Sequence, residues 1–579
     1  MEYIISSKKI DNSKKFGDLY FVGNFTIVEN NIRLIEGYFD GEEKESLIND
    51  IDIFDKLLKG IFNIISYNKT TNILNIKNDH LGQLMVYYAW ENNHFILSNN
   101  FWKVYYHLNP PTNNINNDYI KSKLYFLNSH LQGQTYFKSI NYLLPASVYK
   151  FNFNNKNLLK EYYWDWNIEP INEISFNEQI KTFDNDMNRL FSDIKKRYKT
   201  NKIGFGNSGG LDSRLIAYYG KEHGLNLVGI TIQDKYPGLF KTATYQNSEK
   251  IAKYFGFKNY PLYYNQGNFK QQLFLDIRNN PLGGNQMFKN PIDLLPEFDV
   301  YLTGQHGYMV GRDAWGSFLN KLNEKETLTY YFYYICRHKF FPSKYRTFTN
   351  RILKYFKGID YKALDIKKIS DTPLNEIFTK EEKESYLNYI QNFLNTNKDL
   401  NYLNKIRKFH QNNTGQLVYN GGFESLSRTK ETYFSYYPYA FFNSLNWNYD
   451  YLIGKKMLKN LIKLKSSFLF NMPNQNLIYL THRNPVQRIG SKLELIARGN
   501  GLMYISWIKN KQYINLYNEI FNRKNPLFEN IISEKLFTKL NLRNVTPHGS
   551  IDFIKIKKVL DIIYFNESEF IFNSKFNIK

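Results

Sequence analysis

The stretch Asn207-Ser208-Gly209-Gly210-Leu211-Asp212-Ser213 constrains this chain more than any other. It follows the apolar run Lys202-Ile203-Gly204-Phe205-Gly206 and precedes the helical pattern Arg214-Leu215-Ile216-Ala217-Tyr218-Tyr219. Adjacent glycines let a backbone come close to an anion, Ser208 and Ser213 add hydroxyls on either side, and Asp212 offers one carboxylate to a metal. A strand that ends in such a loop aims the free N–H groups of the next helix at the same point, which makes a phosphate cradle. The Gly-Lys-Ser/Thr ending of the commonest phosphate loop is absent. The competing reading is a tight Gly-Gly turn between a strand and a helix.

The residues that follow continue a strand–helix alternation. Leu227-Val228-Gly229-Ile230-Thr231-Ile232 reads as a buried parallel strand. Ser248-Glu249-Lys250-Ile251-Ala252-Lys253-Tyr254-Phe255-Gly256 reads as an amphipathic helix closed by glycine. Phe298-Asp299-Val300-Tyr301-Leu302 reads as a third strand running into Thr303-Gly304-Gln305-His306-Gly307. Strands alternating with helices, with glycine turns at strand C-termini, predict a doubly wound parallel α/β sheet that binds a nucleotide in its crevice. The Ser-Gly-Gly-Leu-Asp-Ser string resembles the PP-loop of ATP pyrophosphatases, and residues 180–315 resemble the synthetase domain of the asparagine synthetase-like family. The resemblance implies ATP and Mg2+ as cofactors. It places them on Ser208, Gly209, Gly210, Leu211, Asp212 and Ser213, with Gly304 and Gln305 beside them and adenine held by backbone near Thr231 and Ile232.

The preceding region has its own order of signals. Gly60-Ile61-Phe62-Asn63-Ile64-Ile65 and Asn72-Ile73-Leu74-Asn75-Ile76 alternate like antiparallel strands. Asp79-His80-Leu81-Gly82, Tyr87-Tyr88-Ala89-Trp90, Phe95-Ile96-Leu97-Ser98-Asn99-Asn100, Gly133-Gln134-Thr135-Tyr136-Phe137, Ile140-Asn141-Tyr142-Leu143-Leu144-Pro145-Ala146 and Tyr163-Trp164-Asp165-Trp166 follow. Taken in order, they resemble the class II glutamine amidotransferase half of the same family, an α+β sandwich of the N-terminal-nucleophile type. A glutaminase of that type needs an N-terminal cysteine freed by removal of methionine. Here the sequence reads Met1-Glu2-Tyr3, and the only cysteine is Cys336, in an aromatic run that suits a buried apolar residue. No Asn-Gly-Glu-like loop for glutamine is evident. The expectation is a retained domain without glutaminase activity, as in β-lactam synthetases and lasso-peptide cyclases, which are similar in this respect.

The synthetase half also departs from the pattern. In the family a second metal-binding carboxylate stands where this chain has Tyr308, and a phenol is a poor ligand for a hard divalent ion. Asp313 is the candidate replacement, its alternative being a helix cap. His306 reads as a turn residue. Glu424 and Arg428 precede Tyr437-Pro438-Tyr439-Ala440-Phe441 and resemble the family's acidic and Arg residues that lead into a pocket-lining Pro element. That element's terminal Asp is Phe441 here, and the alternative for Glu424 and Arg428 is an i,i+4 surface ion pair. Lys455, Lys456, Lys465 and Lys492 are all candidates for the lysine that neutralises pyrophosphate.

A chain of 579 residues exceeds one core. The expected division is an amidotransferase-like domain at 1–170, an ATP-binding domain at 180–510 and an extension at 511–579. No apolar run reaches membrane-spanning length, no secretory leader is evident, and the lone cysteine fits a reducing cytoplasm. The net charge of +23 comes from scattered basic residues, with clusters at 195–202 and 555–558 and no recognised RNA- or DNA-binding module. Lys, Asn, Ile, Tyr and Phe abundance fits an AT-rich coding bias. The expected function is ATP-dependent amide ligation: a small-molecule, glycan or peptide carboxylate is adenylated and passed to ammonia or a substrate amine. No nucleic-acid or membrane partner is expected, and a homodimer is left open. The alternatives are a nucleotide-binding protein of the same fold that has lost ligase activity, and a basic polyanion-binding scaffold.

Overall fold

The computed structural model describes residues 2–110, 114–119, 133–166, 174–233, 243–263, 295–304, 380–412 and 430–473, less some single positions and short stretches within them.

Among the described residues the N-terminal half has twelve strands in two antiparallel sheets. They are β1 (Ile4–Ser6), β2 (Lys14–Phe16), β3 (Leu19–Val22), β4 (Thr26–Val28), β5 (Asn31–Phe39), β6 (Gly60–Asn68), β7 (Ile73–Asn78), β8 (Tyr87–Glu91), β9 (His94–Ser98), β10 (Ile140–Tyr142), β11 (Ser147–Asn152) and β12 (Asn157–Tyr162). One sheet has the order β10-β8-β9-β1-β3-β2 and the other β12-β11-β7-β6-β5-β4. Alternation along the strands gives each sheet an apolar face, and the two faces meet in a core that includes Ile5, Phe21, Leu34, Ile65, Ile76, Phe95 and Phe151. The β6–β7 hairpin is closed by Asn68, whose side-chain oxygen accepts from the Thr70 and Thr71 amides at 2.9 Å each. Among the described residues two short helices, α1 (Lys44–Ile48) and α2 (Phe101–Leu108), accompany the sheets.

The second half holds a five-stranded sheet of β13 (Lys202–Gly206), β14 (Asn226–Gln233), β15 (Lys258–Tyr263), β16 (Val300–Thr303) and β17 (Glu431–Phe434), in the order β15-β14-β13-β16-β17. Every pairing in it is parallel. Its helices among the described residues are α3 (Phe176–Arg197), α4 (Leu211–Glu222), α5 (Ala243–Phe255), α6 (Lys380–Thr396), α7 (Tyr402–His410), α8 (Tyr439–Ser444), α9 (Lys456–Lys465) and α10 (Ser467–Asn471). Ile203, Phe205, Val300 and Leu302 face the helices, while Ile230, Tyr301 and Phe298 form a second cluster on the other side. The parallel strands expected from 202–206, 227–232 and 298–302 are therefore present, and β15 and β17 add two that the sequence reading did not identify.

Helix α3 starts with a reciprocal Ser175–Glu178 capping box and ends in Lys195, Lys196 and Arg197, where cations complement the helix C-terminus. Lys195 donates to the Lys199 and Gly224 carbonyls, and Lys202 pairs with Glu297 at 2.6 Å. The basic cluster at 195–202 thus has structural work.

One continuous apolar cluster joins the halves, with Tyr38, Ile61, Leu81 and Trp166 beside Phe183, Phe441 and Trp447. Tyr38 stacks on Tyr433 with ring centroids 3.9 Å apart. Loop 79–83 belongs to this seam: the Leu81 carbonyl accepts from Gln411 at 2.9 Å, and the His80 ring meets Tyr163, Trp164 and Phe442 edge-on. Burial lowers His80 to about 3, so the ring stays neutral. Asp79 accepts from the Leu81 and Gln83 amides at 2.9 and 3.0 Å, yet burial raises its pKa to about 7. A carboxyl raised in the folded state favours folding most below its unfolded pKa of about 3.9, and that stability is lost as pH rises through about 7. Asp79→Asn should therefore reduce the fall in urea midpoint between pH 4 and 7, and an unchanged slope would show that Asp79 does not titrate in this window.

Candidate active site

In the order β15-β14-β13-β16-β17 the chain moves to one side of β13 for β14 and β15, and to the other side for β16 and β17. That reversal opens a crevice at the C-terminal end of β13, the place where open α/β sheets bind ligands. The Ser208–Ser213 loop leaves β13 at this point, because β13 ends at Gly206 and α4 begins at Leu211.

The loop geometry follows from its glycines. Gly209 has φ +67°, and a Cβ there would lie 2.7 Å from the Asn247 Cβ, so a side chain is excluded on both counts. Gly210 is the N-cap of α4 and brings no side chain to cap the helix. Its amide donates to Ser208 Oγ at 3.3 Å, Ser208 Oγ lies 3.3 Å from Ser213 Oγ, and Ser213 Oγ donates to the Gly210 carbonyl at 3.1 Å. Two hydroxyls, the loop amides and a helix N-terminus thus converge on one small region.

Asp212 stands in the first turn of α4. Gly304, the residue after β16, abuts it: a Cβ at Gly304 would sit 2.8 Å from the Asp212 Cβ. Asp212 and Gly304, ninety-two residues apart, are brought together at the crevice. Among the described residues no group of three or more His, Cys, Asp or Glu side chains could hold a metal by itself. One carboxylate at a phosphate loop suits magnesium, which keeps most of its ligands as water and phosphate oxygen.

A buried polar network beneath the loop had no sequence signal. Asn207 is fully buried, its amide nitrogen donates to the Ser248 carbonyl at 2.9 Å and to Asn259 at 3.1 Å, and its carbonyl accepts from the Thr231 hydroxyl at 2.7 Å. Asn259 donates on to Thr231 and Ser248. These side chains come from the loop after β13 and from β14, α5 and β15, and only their packing reveals them. The Thr231 side chain is committed to this network, so any role in adenine binding falls to backbone. The register allows it: β13 ends at Gly206 opposite Ile230, while β14 runs on to Gln233. Ile232 lies in that extension.

Two of the residues singled out by the sequence lie in the apolar core. The Leu211 side chain turns into the apolar core at 5% exposure, because it opens the buried face of α4, and only its backbone belongs to the loop. Phe441, in the place of a pocket-lining Asp, lies in α8 at 1% exposure with its ring 5.5 Å from Trp166 and 6.3 Å from Trp164. It is a core residue between the halves. Of the candidate lysines, Lys465 pairs with Asp184 at 2.6 Å and lies over Tyr219, two turns along α4 from the loop, and Lys456 lies over Phe176 and Tyr451. Gln305, His306, Tyr308, Asp313, Cys336, Glu424, Arg428 and Lys492 lie outside the described residues, as does 511–579.

Where the N-terminal sheets meet β17, a cavity of about 310 Å³ is lined by Tyr3, Glu36, Gly37, Tyr38, Lys430 and Thr432, among others. Glu36 accepts from Asn63 and Asn99 at 2.9 Å each, and burial raises its pKa against those two bonds. Glu2 accepts from Asn100 at 2.8 Å, and the Tyr3 amide donates to Asn99 at 3.3 Å. Among the described residues the polar side chains on this cavity are phenols, carboxylates, lysines, an asparagine and a threonine, set among Leu34, Ile35, Ile61 and Leu84.

Residues 52–164 match the family model of a glutamine amidotransferase domain, which fits the N-terminal part of asparagine synthetase-like proteins. The matched stretch covers β6 to β12 and the helix α2. No curated protein matches the chain. Among the described residues no helix is long and apolar enough to cross a membrane.

Proposed function

We propose that the chain is an asparagine synthetase-like, ATP-dependent amide ligase that works without a glutaminase of its own. The observation that carries this reading is the meeting of the Ser208–Ser213 loop, Asp212 and Gly304 at the reversal point of a parallel sheet. The amidotransferase match at 52–164 supports it from the other half, since the family couples the two.

The loop amides and the Ser208 and Ser213 hydroxyls bind the phosphates of ATP, and Asp212 holds the magnesium that neutralises them, with Asp313 the candidate second carboxylate in place of Tyr308. The substrate carboxylate attacks the α-phosphorus. The bond to the β-phosphate bridging oxygen breaks, and pyrophosphate leaves with the electron pair. Ammonia or an amine then adds to the acyl carbon, loses a proton, and expels AMP. Fixed N–H dipoles need no reorganisation as charge shifts onto the leaving oxygen, which makes them effective there. Gln305, Glu424 and Arg428 are proposed to line the substrate side.

The reading is tested by pyrophosphate release with panels of carboxylates and amines, beside a calorimetric ATP titration. Magnesium-dependent release that needs a carboxylate supports it. ATP binding without turnover favours a nucleotide-binding protein that has lost ligation, a reading favoured by the burial of Phe441 in the core. Salt-sensitive polyanion binding without ATP binding would favour the scaffold.

The purified protein is also expected to release no glutamate from glutamine above a no-enzyme control. The only thiol in the sequence is Cys336, which lies outside the matched stretch 52–164. Glutamate release would restore the amidotransferase half to the mechanism.

A further inference from the structure

Arg214 sits in the first turn of α4 and is 0% exposed. Its Nε donates to the Gly209 carbonyl at 3.1 Å, one terminal nitrogen donates to the Leu469 and Met472 carbonyls at 2.6 and 3.1 Å, and the other donates to the Pro473 carbonyl. Among the described residues it has no carboxylate partner, and burial lowers its pKa to about 10. A buried guanidinium without a counter-ion is costly, and a methionine would fill the same space without a charge. Its fork is therefore better explained by what it holds.

What it holds is one peptide plane of the loop. A trans peptide points its C=O and N–H in opposite directions. With the Gly209 oxygen fixed on Arg214, the Gly210 N–H is turned the other way, towards Ser208 Oγ and the open side of the loop. The far end of the fork grips the end of α10, which is itself seated by the Ser466 cap. Asn247 joins the same clamp: its side chain donates to the Pro473 carbonyl at 3.1 Å, and its Cβ fills the space that a Gly209 side chain would need.

We propose that Arg214 is a positioning residue that fixes the Gly209–Gly210 peptide for anion binding and couples the loop to residues 466–473. This rests on the loop being the phosphate site proposed above. Because coupling is reciprocal, an anion on the loop tightens the 466–473 segment, and loosening that segment weakens the anion. The charge of Arg214 adds to the pull of the α4 N-terminus on the same ligand.

The test is amide hydrogen exchange by mass spectrometry on the full chain, with and without sodium pyrophosphate, beside calorimetry with pyrophosphate and with ATP. In the wild type, pyrophosphate should slow exchange both at 208–213 and at 466–473. Arg214→Lys keeps the charge but lacks the planar fork. It should bind pyrophosphate at least tenfold more weakly, and its 466–473 exchange should no longer respond to the anion. Arg214→Met should do the same with a larger loss, and if it fails to fold the lysine variant decides. Wild-type affinity with an unchanged exchange response in Arg214→Lys would overturn the proposal. So would a uniform rise in exchange across the sheet, which marks a merely structural role. If the wild type binds neither pyrophosphate nor ATP, the phosphate site fails and takes the anion-positioning role with it. The latch is then judged on ligand-free exchange, which rises at both segments in Arg214→Lys if they are coupled and at neither if they are not.

Discussion

Gly37→Ala should leave the N-terminal half unable to fold. Gly37 lies within β5 at φ +90°, and an added Cβ would come 1.8 Å from the Ile61 carbonyl oxygen and 2.8 Å from its carbon. Those atoms are backbone of the neighbouring strand β6, so no rotamer change relieves the overlap, and β5 must move away from the middle of its sheet. Such a shift separates Tyr38 from Tyr433 and opens the seam between the halves. The combination of a left-handed φ and a backbone collision should cost about 4 kcal/mol or more, a large share of the stability of a typical domain. Gly256→Ala is the matched control. It has φ +72° but nothing within 4 Å of an added Cβ, so it should carry only the conformational cost of about 1 kcal/mol. Urea midpoints followed by circular dichroism separate the two. A Gly37 variant that melts like the Gly256 variant would show that β5 can shift freely.

How much of this was legible beforehand depended on whether the signal was local. The runs at 60–65, 72–76, 87–90 and 95–98 alternate or are continuously apolar, and each became a strand of the sandwich. The first five strands were not read. β2 and β4 are three exposed or half-exposed residues each, and β5 carries Glu36 and Gly37 in mid-strand, which breaks the period. β17 is a four-residue strand whose only described pairing is with β16, some hundred and thirty residues away in sequence. The Ser208–Ser213 turn between β13 and α4 was legible because glycine, hydroxyl and carboxylate stand at short spacing between two periodic elements. Its supports were not: Asn207, Asn247, Asn259 and Arg214 read as ordinary polar residues, and a helical pattern by itself does not say that Arg214 points inward. Phe441 shows the converse. A position assigned by order in the chain turned out to be occupied by packing, since the aromatic rings of Trp164, Trp166 and Phe442 surround it.

Asp212→Ala should cut magnesium-dependent pyrophosphate release on the order of a hundred- to a thousandfold while leaving the melting transition nearly in place. Asp212 is half-exposed in the first turn of α4, so the fold loses little beyond the interaction of an acid with a helix N-terminus, about 0.3–1 kcal/mol. Under the proposed ligase function, the reaction loses its one carboxylate on the loop, and with it the means of holding magnesium against the triphosphate. Asp212→Asn keeps shape and hydrogen bonding but removes the charge, so a loss of similar size assigns the effect to metal binding. Gly304→Ala reaches the same group from β16: its Cβ would meet the Asp212 Cβ at 2.8 Å and push the carboxylate from its place without removing it. That variant should show an intermediate loss, partly recovered at high magnesium, because a displaced ligand binds weakly where a deleted one does not bind. Wild-type rates in both Asp212→Ala and Gly304→Ala would remove Asp212 from the mechanism and leave the loop amides as the whole of the phosphate site.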